Sequence, residues 1–243
     1  MKAWIPTDFD EMKKFIGIIL CMGLVRLPKI ELYWSKKKVY DYSFVCKHMK
    51  RDRFTLLLKC FHFNDNDLDD KSNKLYKIQP LLDKLNQRFK SVYSPGDRVV
   101  IGESMIPYRG RVSFLQYNPG KAHKYGLKIY KPCAPNAYTW NFQVYSGKPA
   151  PLPSFNHSVS VILKLCDSLL HQGVTVFADN FYTSLPLAEK FLKEQTYYCG
   201  TLRKCRKFIP SSLQNAKLKK GEVVSQQTKN GVKFIIGKTR EMC

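Results

Sequence analysis

Acidic residues are scarce in this chain: 19 aspartates and glutamates stand against 41 lysines and arginines, a formal net charge of +22 over 243 residues. A small soluble domain needs a net charge of only about 2 to 8. The excess therefore points to a polyanionic partner such as nucleic acid. Paired-cysteine spacing is also missing. The eight cysteines are scattered, mostly inside apolar runs, and no C-x-x-C occurs. They read as buried thiols of an intracellular protein, which argues against a disulfide scaffold or a locally encoded zinc site. The longest apolar run, residues 15–25, is too short for the roughly 20 apolar residues of a membrane span. The opening residues MKAWIPTDFDEMKKF mix acids with apolar side chains, which is not the pattern of a secretory signal. No internal repeat is visible.

What is present suits a folded chain: 44% of residues are apolar and 13% aromatic, far from a disordered basic tail. Thr7 and Asp10 resemble a capping box ahead of an apolar-periodic helix over 9–22. Shorter helices are expected over 30–34, 44–49 and 53–60. The polar run NDNDLDDKSNK at 64–74 is a loop; it lacks the glycine and distal glutamate of a calcium-binding loop. An amphipathic helix follows over 78–93, with Leu81, Leu82, Leu85 and Phe89 on one face.

After Pro95-Gly96 the periodicity changes. Strands are expected over 98–105, 114–117, 125–131 and 140–145, a helix over 159–170, and a buried strand over 174–178. A helix over 185–193, capped by Thr183 or Ser184, precedes a strand over 197–202. A basic segment then holds one hairpin, pairing 222–225 with 232–236. This order of elements suits an α/β chain with a ribonuclease H-like core. Such a core does its chemistry with carboxylates at strand ends, which hold two magnesium ions about 3.5–4 Å apart. Asp179, just past the strand at 174–178, has that setting. An acid there is also an ordinary strand terminator.

Several long blocks carry a resemblance. FIGIILCMGLVRLPKIELYWS, RDRFTLLLKCFHFNDN and YKIQPLLDKLNQRF lie in the helical region; GESMIPYRGRVSFLQYNPGKAHKYGLKIY, TWNFQVYSGK and VFADNFYTSLPLAEKFL span the strands, followed by CGTLRKCRKFIP. In this order they resemble the piggyBac family of transposases and its host-domesticated derivatives, over essentially the whole chain. The resemblance implies a helical N-terminal module at 1–94, the first strands and helices of an incomplete ribonuclease H-like core at 95–200, and the truncated basic start of an insertion domain at 201–243.

It also implies a site of three magnesium-binding aspartates. Gly102 stands at the first position, Asp179 at the second, and the third lies beyond Cys243. Glycine supplies no ligand atom. Glu103 is a poor substitute, because neighbouring residues on a strand point to opposite faces. The expectation is an inactive, transposase-derived protein that needs no cofactor; magnesium is implied only for an active enzyme, with Asp179 as its weak candidate ligand.

The basic surface remains. Arg109, Arg111, Lys121, His123, Lys124 and Lys128 are candidate phosphate contacts, joined by Arg203, Lys204, Arg206 and Lys207. Tyr108 and Tyr125 are candidate stacking surfaces. The expected partner is duplex DNA, bound weakly or non-specifically in the nucleus, with self-association or other nuclear proteins as further partners and no membrane. Two alternatives stand beside this: an interaction scaffold or functionless transposon relic, and a residual metal-dependent nuclease.

Overall fold

The computed structural model describes residues 4–69, 71–147 and 157–238. The chain divides into two compact units, 1–70 and 71–243.

The first unit is helical: α1 (Phe9–Leu24), α2 (Ser43–His48) and α3 (Arg51–Cys60), with 3-10 turns at Ile30–Trp34 and Lys38–Tyr40. Asp8, not Thr7, caps α1: its carboxylate accepts the Glu11 N–H at 2.7 Å. Phe15, Ile18, Tyr33, Val45, Met49, Phe54 and Leu57 form the core. Its aromatic centre is Phe15 against Phe54, with ring centroids 5.2 Å apart. Polar atoms at this core are satisfied by the backbone. The Trp34 indole donates to the Met49 carbonyl at 2.8 Å, and the Tyr33 hydroxyl accepts the Leu27 N–H at 3.0 Å. Arg53 grips Glu11 with two nitrogens, at 2.8 and 2.5 Å, and donates a third bond to the Ile5 carbonyl at 3.0 Å. That fork ties the segment before α1 to α3.

The second unit holds α4 (Gln79–Val92) and a six-stranded sheet. Its strands are β1 (Arg98–Pro107), β2 (Gln116–Tyr117), β3 (Tyr125–Cys133), β4 (Gln143–Val144), β5 (Thr175–Ala178) and β6 (Tyr197–Gly200). The order is β2-β3-β1-β5-β6, with β4 paired to β3. β1 and β3 are antiparallel, whereas β1–β5 and β5–β6 are parallel. Parallel neighbours need a crossover, supplied by α5 (His157–Cys166) and α6 (Leu185–Lys193). Both helices lie over one face, where Ile162, Leu165, Cys166, Leu187 and Phe191 join Val99, Ile101, Val176 and Ala178 in a single buried cluster. Each large apolar side chain fully buried there contributes about 1.5–3 kcal/mol. The helical N-terminal region and mixed sheet are the ribonuclease H-like α/β arrangement expected.

α4 belongs to the sheet's unit. Asn86 exchanges two 2.9 Å hydrogen bonds with the backbone of Phe142, and the Tyr138 hydroxyl donates to the Phe89 carbonyl at 3.1 Å. After β6 come the short helix α7 (Ser211–Gln214) and the hairpin of β7 (Val223–Gln227) with β8 (Lys233–Gly237).

Several local expectations shift. The strand expected over 140–145 shrinks to two residues, because the Phe142 N–H is taken by the Asn86 side chain and cannot extend the ladder. The helix expected to reach 170 ends at Cys166 and tightens into a 3-10 turn over Asp167–Leu169. Ser184 caps α6 without a side-chain bond, and the Thr183 hydroxyl instead donates to the Asp179 carbonyl at 2.8 Å. The cysteines are not generally buried: Cys46, Cys60, Cys199 and Cys205 are exposed, and among the described ones only Cys166 is fully buried. Apolar sequence neighbours therefore do not fix burial, because in each element one face is turned to solvent. Among the described residues, no helix is long and apolar enough to cross a membrane.

Candidate functional site

The site is built where β1 and β5 run side by side. Arg98, Val99 and Val100 pair in parallel with Thr175, Val176 and Phe177. Continuing this register by two residues sets Gly102 beside Asp179. Side chains alternate along a strand. Val99 and Ile101 are buried against the helices, so position 102 faces the other side of the sheet; Asp179 lies just past the end of β5, where its charge adds to burial in raising the Tyr182 and Tyr198 phenols. A Cβ at Gly102 would meet nothing within 4 Å.

Asp179 is exposed, and its carboxylate accepts the Phe181 N–H at 3.0 Å. The Asp179 carbonyl accepts the N–H groups of Tyr182 and Thr183 at 3.3 and 3.1 Å. Residues 179–183 thus form a closed turn at the end of β5. Two arginines clasp this turn. Arg203 Nε donates to Asn180 Oδ1 at 2.9 Å, and Arg206 donates to the carbonyls of Asn180 and Phe181 at 3.3 and 2.8 Å. Lys204 and Lys207 are exposed beside them in sequence.

Glu103 turns to the helix-covered face, opposite Tyr130 in the β1–β3 register. Its carboxylate lies 2.6 Å from the Lys128 ammonium and 3.3 Å from that of Lys121. Burial acts to raise the Glu103 carboxyl, but Lys128 and then Lys121 outweigh it and hold it below the usual carboxylate range. Lys128 also sits over two rings, 4.8 Å from the centroid of Tyr130 and 4.9 Å from that of Phe181. Burial, reinforced by the Glu103 charge, pushes the Tyr130 phenol up to about 12. Phe181 is therefore the meeting point: its ring lies against the Lys128 ammonium that pairs with Glu103, and its carbonyl holds Arg206.

The remaining cations lie around the β2–β3 hairpin. Its loop is closed by Asn118, whose N–H donates to the Lys124 carbonyl at 2.7 Å and whose side chain accepts the Gly120 N–H at 3.1 Å. His123, Lys124 and Arg111 are exposed, and the Arg109 guanidinium lies 5.5 Å from the Tyr125 ring centroid. The close approach of β3 to β1 requires Gly126, where a Cβ would come within 2.1 Å of the Ile106 carbonyl oxygen.

The ten candidate cations thus fall into three groups. Lys121 and Lys128 converge on Glu103; Arg203 and Arg206 converge on the turn after Asp179, with Lys204 and Lys207 next to them in sequence; and Arg109 meets Tyr125, with His123 and Lys124 in the hairpin loop and Arg111 exposed in the chain that leads to β2. Sequence reasoning missed Asn180 and Phe181, which anchor the arginines, and it missed Tyr117, which pairs with Tyr125 across the hairpin. Only the position of Asn180 directly after Asp179 hinted at the first of these. Among the described residues, the donor set is incomplete for a two-magnesium centre. Position 102 offers no side-chain oxygen, Glu103 is held in ion pairs with Lys128 and Lys121, and among the described residues no group of three or more His, Cys, Asp or Glu side chains is arranged to hold a metal ion.

This frame of parallel strands with an aspartate at the end of one is that of a transposase core, and the chain belongs to the transposase family described as Transposase IS4, whose sequence model matches residues 1–242. Within that family it is similar to piggyBac-type members. It is 31% identical over 200 residues to human PiggyBac transposable element-derived protein 3, covering 80% of this chain and 34% of that protein. It is 28% identical over 202 residues to human PiggyBac transposable element-derived protein 2, covering 81% and 34%. Its fold matches a solved structure described as a piggyBac transposase synaptic complex with hairpin DNA, with a TM-score of 0.79 and 24% identity over 97% of this chain and 53% of that one. The chain spans about a third of the length of the human relatives it matches.

Proposed function

We propose that this chain is a transposase-derived nuclear protein that holds duplex DNA through its basic surface and does not cut it. The observation that carries this reading is the pairing of an empty position at Gly102 with cations fixed around the turn after Asp179. The side that would bind metal lacks its first carboxylate, while Arg203 and Arg206 are pre-positioned beside it. Without a carboxylate at position 102, a two-metal centre lacks its first ligand, and the geometry that activates a nucleophile depends on that ligand. Cations clasped to a rigid turn lose less freedom on meeting a phosphate than free side chains do. The net charge of +22 adds long-range attraction. The similar solved chain is a transposase in a complex with hairpin DNA, and the similar human proteins are transposon-derived.

The test is a gel shift with duplex DNA at about 50 to 200 mM salt, with and without magnesium. About five phosphate contacts correspond to a log–log salt slope of about −4 to −5. Binding that weakens with this slope, without cleavage in magnesium, is the expected result. No binding at about 50 mM salt would overturn the DNA reading, and magnesium-dependent cleavage lost in Asp179→Ala would overturn the inactive one.

A further inference from the structure

Two tyrosines stand where no core role accounts for them. Tyr117 and Tyr125 are direct partners in the β2–β3 ladder, with ring centroids 4.6 Å apart and planes tilted by 38°. Both are largely open to solvent, 57% and 46% exposed. A tilted, near-facing pair at this spacing occupies one face of each ring, so Tyr117 keeps ring surface free. Tyr125 carries the Arg109 guanidinium as a second neighbour, 5.5 Å from its centroid. The hydrogen bonds of Asn118 hold the loop between the two strands, so the pair rests on a fixed hairpin.

An exposed flat aromatic surface ringed by cations matches a ligand that is itself flat at one end and anionic at the other. A nucleotide has that shape, and every base offers a π-face for stacking. A fully paired duplex keeps its base faces covered by their neighbours and presents only edges and backbone. A base freed from its stack exposes the surface that Tyr117 can cover. His123 and Lys124, both exposed in the loop of the same hairpin, are placed for the phosphates on either side.

We propose that Tyr117 and Tyr125 form a stacking platform for an unpaired base of DNA, with Arg109 backing Tyr125 and the hairpin cations taking the flanking phosphates. This rests on the DNA-contacting reading and adds to it which form of DNA is preferred. The platform selects DNA with an unstacked base over uninterrupted duplex, without choosing among the four bases, because stacking needs no edge contacts.

The experiment compares two DNAs of equal length and charge at one salt concentration: a fully paired duplex, and the same duplex with a central mismatch carrying 2-aminopurine. The 243-residue chain is used as wild type, Tyr117→Ala and Tyr117→Phe. The wild type should bind the mismatched DNA more tightly and change the 2-aminopurine fluorescence. Tyr117→Ala should lose about 5- to 100-fold in affinity for that DNA alone, with the fluorescence change abolished. Tyr117→Phe, which keeps the ring, should behave as wild type. Equal wild-type affinity for the two DNAs, or an equal loss on both in Tyr117→Ala, overturns the platform while leaving DNA contact standing. Failure of the wild type to bind either DNA overturns both readings.

Discussion

Lys128 sets its ammonium 2.6 Å from the Glu103 carboxylate and over the Tyr130 ring, on the helix-covered side of the sheet. Both side chains are mostly buried, at 16% and 22% exposure, and the other partner of Glu103, Lys121, lies farther off at 3.3 Å and is itself more exposed. Removing Lys128 leaves the Glu103 charge, mostly away from water, with the weaker partner alone. Lys128→Met should therefore destabilise the fold by roughly 1–3 kcal/mol, read by urea unfolding, and Glu103→Gln should cost less because glutamine still accepts a bond from Lys128.

The same pair sets an acid response. The Glu103 carboxyl is held below its usual 4.5 in the folded chain, so its contribution to stability is complete above that value and is lost as the pH falls through the lowered one. Glu103→Gln should flatten this part of the stability–pH curve, measured by thermal unfolding across acidic pH.

In the first unit, the hydrogen bonds from Arg53 are the main cause that brings Glu11 down to about 2, against an opposing effect of burial. The stabilisation is present above about 4.5 and disappears as the pH falls toward 2. The Glu11 carboxyl carbon, followed by NMR, should titrate near 2 in the wild type and near the ordinary carboxylate value in Arg53→Ala.

Thiol accessibility gives a simpler check. Cys46, Cys60, Cys199 and Cys205 are exposed, whereas burial pushes the Cys166 thiol up to about 12. Brief alkylation at neutral pH followed by mass spectrometry should label the four exposed residues first, and Cys166 only after denaturant is added.

Position 102 separates folding from metal binding. Gly102 has no positive φ, and a methyl group on its Cα would meet no other atom within 4 Å, so Gly102→Ala should raise stability by about 0.5–1 kcal/mol. Gly102→Asp should bring a second carboxylate onto β1, whose backbone runs about 4.8 Å from that of the neighbouring β5, the strand that Asp179 follows. Magnesium at several times its Kd should then stabilise this variant by about 1 kcal/mol and leave the wild-type Tm unchanged.

The order of elements was legible in the sequence because its signals are local. The apolar run at 174–178 marked β5, the 3- and 4-residue spacing of Leu81, Leu82, Leu85 and Phe89 marked α4, and Asp179 marked the end of β5. Contacts that span long stretches of chain were not legible. Glu103 meets Lys128 only because β1 and β3 pair in one register, and a slip of one residue would send them to opposite faces. Arg203 and Arg206 reach back 23 to 26 residues to Asn180 and Phe181. The strand expected at 140–145 failed for the same reason, since Asn86, 56 residues earlier, takes the N–H its ladder needed.

The open space beside Gly102 leaves that position unconstrained by packing. β1 keeps its partners on both sides through backbone bonds that no side chain at 102 can alter. A lineage can therefore exchange small side chains there in either direction without passing through a misfolded intermediate, which leaves chemistry as the larger difference between residues at that position.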